Sequence, residues 1–267
     1  MNSLRAVEGQ KTLMGRANHG IAYDSIHDEF MIPNTIGQAI LTFRGGANGD
    51  EAPIRVIQGP LTQLRNPDTL AVDPIHNEIF VNEGHAVMVF PREANGNVAP
   101  SRILSGPPDM PLNSHWIAED PVRNLIVITG YVGAQAQEDR RQSRLYIFNR
   151  TDGENSSPKA AIGGPKSRFR VPAGPIAVYP PKGWIISSSG AITSRDSERL
   201  QQHEADTFVG VWSINDNGDV PPKWTIGGPR GAVWKPMGVV VDAKHKSLIV
   251  SDTGLNGVLT FYFPEMF

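Results

Sequence analysis

The chain has no cysteine. That excludes disulfides, thiolate metal ligands and a cysteine nucleophile. Its N-terminus, MNSLRAVEGQ, lacks the apolar core of a secretory signal, and no run is apolar and long enough to span a bilayer. A cytoplasmic location without a membrane partner is expected. No Gly-x-Gly-x-x-Gly follows a strand-like run, and there is neither a P-loop nor a Gly-x-Ser-x-Gly elbow. No nucleotide or flavin cofactor is indicated. The formal net charge is −2 and the basic residues form no long run, which argues against nucleic acid as a partner.

What is abundant is turn chemistry. The 267 residues include 27 glycines and 22 prolines, too many for a helical protein. ILTFRGGANGDEAPIRVIQGP (40–60) is echoed by VMVFPREANGNVAPSRILSGP (87–107). The echo runs through the chain, marked by short apolar runs that end at Asp24, Asp73, Asp120, Tyr179 and Asp242. Each is followed by a second run (EFMIPN, EIFVNE, LIVITG, WIISSS, SLIVSD) and a third (AILTF, AVMVF, RLYIF, FVGVWSI, GVLTFYF). A fourth run (IRVIQG, SRILSG, KAAIGG, KWTIGG) follows in all units but the last, after a turn of Asn-Gly or Asp-Gly type. Such runs, rich in β-branched and aromatic residues and bounded by Gly, Pro, Asn and Asp, read as strands. The Asn-Gly and Asp-Gly pairs read as hairpin turns with positive φ.

Four antiparallel strands, here called a to d from the axis outward, repeating at roughly fifty residues, describe a propeller blade. The expected fold is all-β: a single five-bladed β-propeller domain over 1–267. Its units fall roughly at 18–59, 67–106, 114–163, 173–227 and 236–267. The last unit stops after strand c, while LRAVEG (4–9) matches IRVIQG in pattern. The N-terminal strand 4–9 is therefore expected to pair with the C-terminal blade and close the ring. The Pro-x-Arg-x-Ile-x-Gly runs followed by Gly-Ile-Ala-Val-Asp-like strands resemble NHL-type β-propeller repeats over essentially the whole chain. That resemblance implies the fold. Relatives of this kind include protein- and RNA-binding modules, lyases and metal-dependent lactonases; most have six blades, so five is a departure.

Aligned on the landmark, the position five residues earlier lies at the top of the innermost strand. It reads His19, Asp68, His115, Gly174 and Met237. Two imidazoles and a carboxylate on three consecutive blades form a ligand set for one divalent metal (Zn, Fe or Mn). The same three residues suit acid–base catalysis without a metal. Strand b ends on the same face with Asn34, Glu83, Thr129, Ser189 and Asp252. Glu83 and Asp252 are candidates to orient a histidine or act as general base; polar residues simply ending a strand are the alternative. Candidate substrate-binding residues are Asn34, Trp116, Tyr131, Arg168, Phe169, Ser189 and Trp234, with Lys166 and Arg170 beside them. Two insertions after strand b, 131–143 and 190–207, emerge on that face.

His27, His76 and His245 each follow the landmark Asp by three residues; recurrence in a turn marks them as structural. His85 lies just after a strand b, and His203 lies in the second insertion. Two functions compete: a small-molecule enzyme, lactonase-like hydrolase or lyase, and a non-catalytic platform for a peptide or protein. The chain is expected as a monomer or homodimer.

Overall fold

The computed structural model describes residues 5–16, 18–132, 143–169, 174–189, 207–227 and 232–267. The protein is an all-β, five-bladed β-propeller made of antiparallel sheets, whose only helices among the described residues are short 3-10 turns. It divides into two compact units. The first holds residues 1–105 with 153–156, and the second holds 106–152 with 157–267.

The first unit contains two blades. One is β1 (Ala22–Asp24), β2 (Glu29–Asn34), β3 (Ala39–Arg44) and β4 (Arg55–Gln58); the other is β5 (Thr69–Asp73), β6 (Glu78–Asn82), β7 (Val87–Pro91) and β8 (Arg102–Leu104). In each, neighbours in sequence are neighbours in the sheet, as short hairpin connections require. Period-2 alternation gives each sheet two apolar faces. Ala22, Met31, Ile40 and Ile57 of the first blade meet Leu70, Val72, Ile79, Val81, Met88 and Phe90 of the second in one core. Each fully buried aliphatic or aromatic side chain contributes about 1.5–3 kcal/mol there.

The second unit contains three blades. The first is β9 (Leu112–Asp120), β10 (Leu125–Val132), β11 (Arg144–Asn149) and β12 (Ala160–Ile162), followed by β13 (Ile176–Tyr179), β14 (Trp184–Ser189), β15 (Phe208–Ser213) and β16 (Trp224–Gly227). The last is β17 (Pro236–Asp242), β18 (Ser247–Asp252) and β19 (Gly257–Tyr262), a sheet of three strands among the described residues. The core between its first two blades is centred on Trp212, fully buried, with Phe169 stacked on it at 4.5 Å between ring centroids.

The landmark residues are turn devices. Asp24 Oδ1 accepts from the amides of Ile26 and His27, and His27 Nδ1 donates to Oδ2 at 2.7 Å. Asp73 and His76 repeat this arrangement, and Asp242 and His245 repeat the histidine contact. Asp120 uses Arg123 instead, at 2.8 Å. The expected structural role of these histidines is what the turns show.

The Asn-Gly pairs do more than turn the chain. Gly49, Gly96 and Gly218 have φ of 65°, 80° and 80°, a region that favours glycine. Each turn also grips the outer strand of the preceding repeat. Asn95 Oδ1 accepts from Val56 N at 2.9 Å, Gly96 N donates to Val56 O, Gln58 N donates to Gly96 O, and Asn97 Oδ1 accepts from Leu61 N. Asn217, Gly218 and Asp219 hold Ala161, Gly163 and Lys166 in the same way. The N-terminal segment enters this scheme: Asn48, Gly49 and Asp50 hold Ala6, Glu8 and Lys11. Val7 forms a parallel bridge with Gly49, as Ile57 does with Gly96 and Ile162 with Gly218. From Arg5 onward the segment expected as a strand at 4–9 is an extended stretch latched to the first blade by one isolated bridge, and the expected pairing with the C-terminal blade is not among the strand pairings of the described residues.

Candidate functional site

The inner-strand position picked out by alignment has an unusual backbone. Trp116 pairs with Thr129 and Ser114 with Gly130, which leaves His115 as the extra residue of a β-bulge. Met237 is the extra residue of a second bulge, between Pro236, paired with Asp252, and Gly238, paired with Ser251. In the second blade, Asp68 N donates to Asn82 O while Thr69 also pairs with Asn82. Bulges break the alternation of side chains and re-aim one of them. One backbone irregularity thus recurs across blades with different side chains on it.

In the first unit, two members of the expected set meet. His19 Nδ1 is hydrogen-bonded to Asp68 Oδ1. Because an ionised carboxylate only accepts, this contact places a proton on Nδ1. Nε2 is then the unprotonated nitrogen, and among the described residues it has no hydrogen-bond partner. The His19 side chain is 58% exposed and that of Asp68 32%, so the pair is open to solvent and to a ligand. His115 belongs to the second unit, where it is half-buried on β9. Among the described residues, no group of three or more His, Asp or Glu side chains is gathered closely enough to hold a metal ion.

The strand-b ends brace the loops that lead into strand a. Asn34 Nδ2 donates to Leu13 O at 2.7 Å, and its Oδ1 accepts from Gly37 N. Glu83 Oε2 accepts from the amides of Arg65 and Asn66 at 3.1 and 2.8 Å. Asp252 accepts from Trp234 N, Lys235 N, Gly254 N and Leu255 N. Ser189 Oγ donates to Arg168 O, and Thr129 Oγ1 accepts from Trp116 N. The sequence showed polar residues there but not their shared job; the regular spacing from the landmark was the available signal.

Glu83 differs from the others. It is buried, and its Oε1 has no partner among the described residues. Burial pushes its pKa above the usual carboxylate range, against the lowering effect of the two amides and of nearby His85 and Arg65. A carboxyl group so placed is a candidate proton carrier.

Of the expected substrate-binding residues, Phe169 is buried in the core and Trp116 packs against that core. Arg168 has φ of 60° and its guanidinium lies 4.6 Å from the centroid of the Phe208 ring. Trp234 is half-buried beside Gly254. Tyr131 lies in β10. Arg170, residues 133–142 and residues 190–206, hence most of both insertions and His203, lie outside the described residues.

No helix among the described residues is long and apolar enough to cross a membrane. No family model matches the chain, and no curated protein matches it. Among solved structures, it is similar to a chain of a crystal structure of a nidogen/laminin complex, with a TM-score of 0.55 at 12% identity. The match covers 93% of this chain and 81% of the other. At that identity the likeness carries the β-propeller fold alone.

Proposed function

We propose that the protein is a small-molecule enzyme, a lactonase-like hydrolase or a lyase, in which His19 is the general base and Asp68 orients it. The observation behind this reading is the His19–Asp68 hydrogen bond, made by equivalent inner-strand positions of adjacent blades. A carboxylate on Nδ1 fixes the tautomer and the ring's orientation, leaving Nε2 as the proton acceptor. Nε2 then takes a proton from water, for ester or lactone opening, or from a carbon acid, for elimination. The NHL-type resemblance favours the same classes. A metal-assisted form would add an ion's Lewis acidity to the dyad; elemental analysis of protein purified without a histidine tag distinguishes the two forms. The enzyme reading itself is tested by turnover of a panel of lactones, esters and carbon acids. Wild type should turn over at least one class, and His19→Ala should lower kcat by about 10²–10⁴-fold. A variant that keeps full turnover overturns the assignment.

The second reading is a platform for a peptide or protein. It is favoured by apolar side chains left exposed, such as Ile21 at 67% and Val258 at 69%. The propeller in the nidogen/laminin complex illustrates a propeller found in a protein assembly. A stable partner, together with no turnover of any substrate class, would replace the enzyme reading by this one.

A further inference from the structure

Among the strand-b ends, Glu83 and Asp252 make the same clamp. Asp252 accepts from the amides of Trp234 and Lys235, the residues three and two places before Met237. Glu83 accepts from those of Arg65 and Asn66, three and two places before Asp68. Met237 and Asp68 are equivalent inner-strand positions. The clamp is therefore a repeated device for fixing what stands at the top of strand a. In the last blade it presents a methionine. In the second blade it presents the carboxylate that holds His19.

The loop ahead of Asp68 is held at every residue. Arg65 O accepts from Gln38 Nε2 at 3.2 Å, and Pro67 O accepts from Thr35 Oγ1 at 2.7 Å. Asp68 N donates to Asn82 O at 3.0 Å. The amides of Arg65 and Asn66 both go to Glu83 Oε2, and an ionised carboxyl binds amides more strongly than a neutral oxygen does. Glu83 is itself firmly anchored. It is buried, its N donates to Ala86 O at 2.9 Å, and its carbonyl accepts from His85 Nδ1 at 3.1 Å. All of the residues around this loop belong to the first unit.

The His19–Asp68 pair needs that support. Its side chains are 58% and 32% exposed, and a pair so open to solvent contributes little on its own. Fixing the backbone of even one loop residue costs more than such a pair contributes. The contact thus depends on a loop ordered beforehand. We propose that Glu83 is the positioning residue of the His19–Asp68 pair: by clamping the amides of Arg65 and Asn66, it sets Asp68 against His19 Nδ1. The inference deepens the enzyme reading, on which only its effect on turnover rests.

The test reads which ring nitrogen of His19 carries the proton, from long-range hydrogen–nitrogen correlation spectra of protein carrying isotope-labelled histidine. The spectra are taken at about pH 9, where an ordinary imidazole is neutral. Wild type should show His19 protonated on Nδ1. Asp68→Ala gives the spectrum of His19 without its partner. Glu83→Leu fills the space without an acceptor, and Glu83→Ala empties it; each variant that folds should move His19 to the Asp68→Ala spectrum. Glu83→Gln keeps an oxygen for the two amides and should keep the wild-type spectrum. His27 and His76, bonded through Nδ1 within turns of the same unit, should be unchanged in every variant and report that the blades are intact. A wild-type His19 signal in folded Glu83→Leu or Glu83→Ala overturns the proposal. So does failure of both to fold, or a shift of His27 and His76 together with His19: Glu83 then supports the unit and not the pair. Loss of the wild-type signal in Glu83→Gln also counts against it, because the two amides keep an acceptor there. Turnover separates this inference from the enzyme reading. If that reading holds, Glu83→Leu lowers kcat about as far as Asp68→Ala does. If no substrate is turned over while His19 shifts as described, the enzyme reading fails and the positioning stands.

Discussion

The c–d turns and the tops of the inner strands are both repeated places in the backbone, and they treat their side chains in opposite ways. At the turns the residue type recurs with the geometry. Asn48, Asn95 and Asn217 each hold an amide of the preceding outer strand, and a positive-φ glycine follows each. At the tops of the inner strands an irregular backbone recurs at Asp68, His115 and Met237, while the aligned side chains read His19, Asp68, His115, Gly174 and Met237. A residue repeated with its contacts serves the fold. A place where geometry is kept and chemistry varies is free to serve function.

The sharpest way to break the fold side of that contrast lies in the first unit. Glu29 accepts from Arg55 and from Arg92 Nη1 at 2.7 Å, and Arg92 is 5% exposed. Burial would raise the pKa of Glu29, but hydrogen bonds and charge from Arg55, together with the charge of Arg92, outweigh it and hold the carboxyl low. Glu29→Gln should cost about 1.5–3 kcal/mol in denaturant unfolding, because it removes the negative charge shared by two guanidinium groups while Arg92 keeps Asn77 and Glu93. Because the pKa is lowered in the folded state, this stabilisation is present above the unfolded carboxylate range. It is lost as pH falls through the folded value, so wild type and variant should converge in acid.

Asn95→Ala is a milder break, removing one latch bond of the second blade. It should cost about 1 kcal/mol and lower the melting temperature by about 2–4 °C, with turnover intact. His19→Ala should do the reverse, moving stability by less than about 0.5 kcal/mol, since the side chain is exposed.

Glu83 sits between the two categories, and its pH dependence refines the contrast. With its pKa raised in the folded state, its contribution to stability is fully present below the unfolded carboxylate range. It falls away as pH rises through the folded value. Glu83→Gln should remove that decline, so that stability measured from mildly acidic to alkaline pH loses less than in wild type. A variant with an unchanged profile would mean that the buried Oε1 is not the source.

The blades were legible because strand, turn and period all repeat, and local signals agree with the tertiary arrangement. The latch was not legible. An Asn-Gly pair explains itself as a turn, and nothing local shows that its side chain reaches an amide some forty residues earlier, as Asn95 does for Val56. The braces were hidden for the same reason. Glu83 and Asp252 look like acids near a site, and only geometry shows their oxygens engaged by loop amides. Of the inner-strand set, the pairing of His19 with Asp68 follows from equivalence of position, since neighbouring blades bring equivalent residues side by side. Phe169 was read as a pocket wall because an aromatic in a loop gives no sign of which way it packs; stacking on Trp212 decided it.

One crossed measurement tests the division of labour most directly: turnover and melting temperature for wild type, His19→Ala and His76→Ala. His76 is also a histidine bonded to an aspartate, through Nδ1 at 2.7 Å, but within a turn. Turnover should fall by about 10²–10⁴-fold without His19 and survive without His76, while the melting temperature should fall only in the latter. Equal loss of turnover in both variants, or none in either, would contradict the assignment of chemistry to the inner strand.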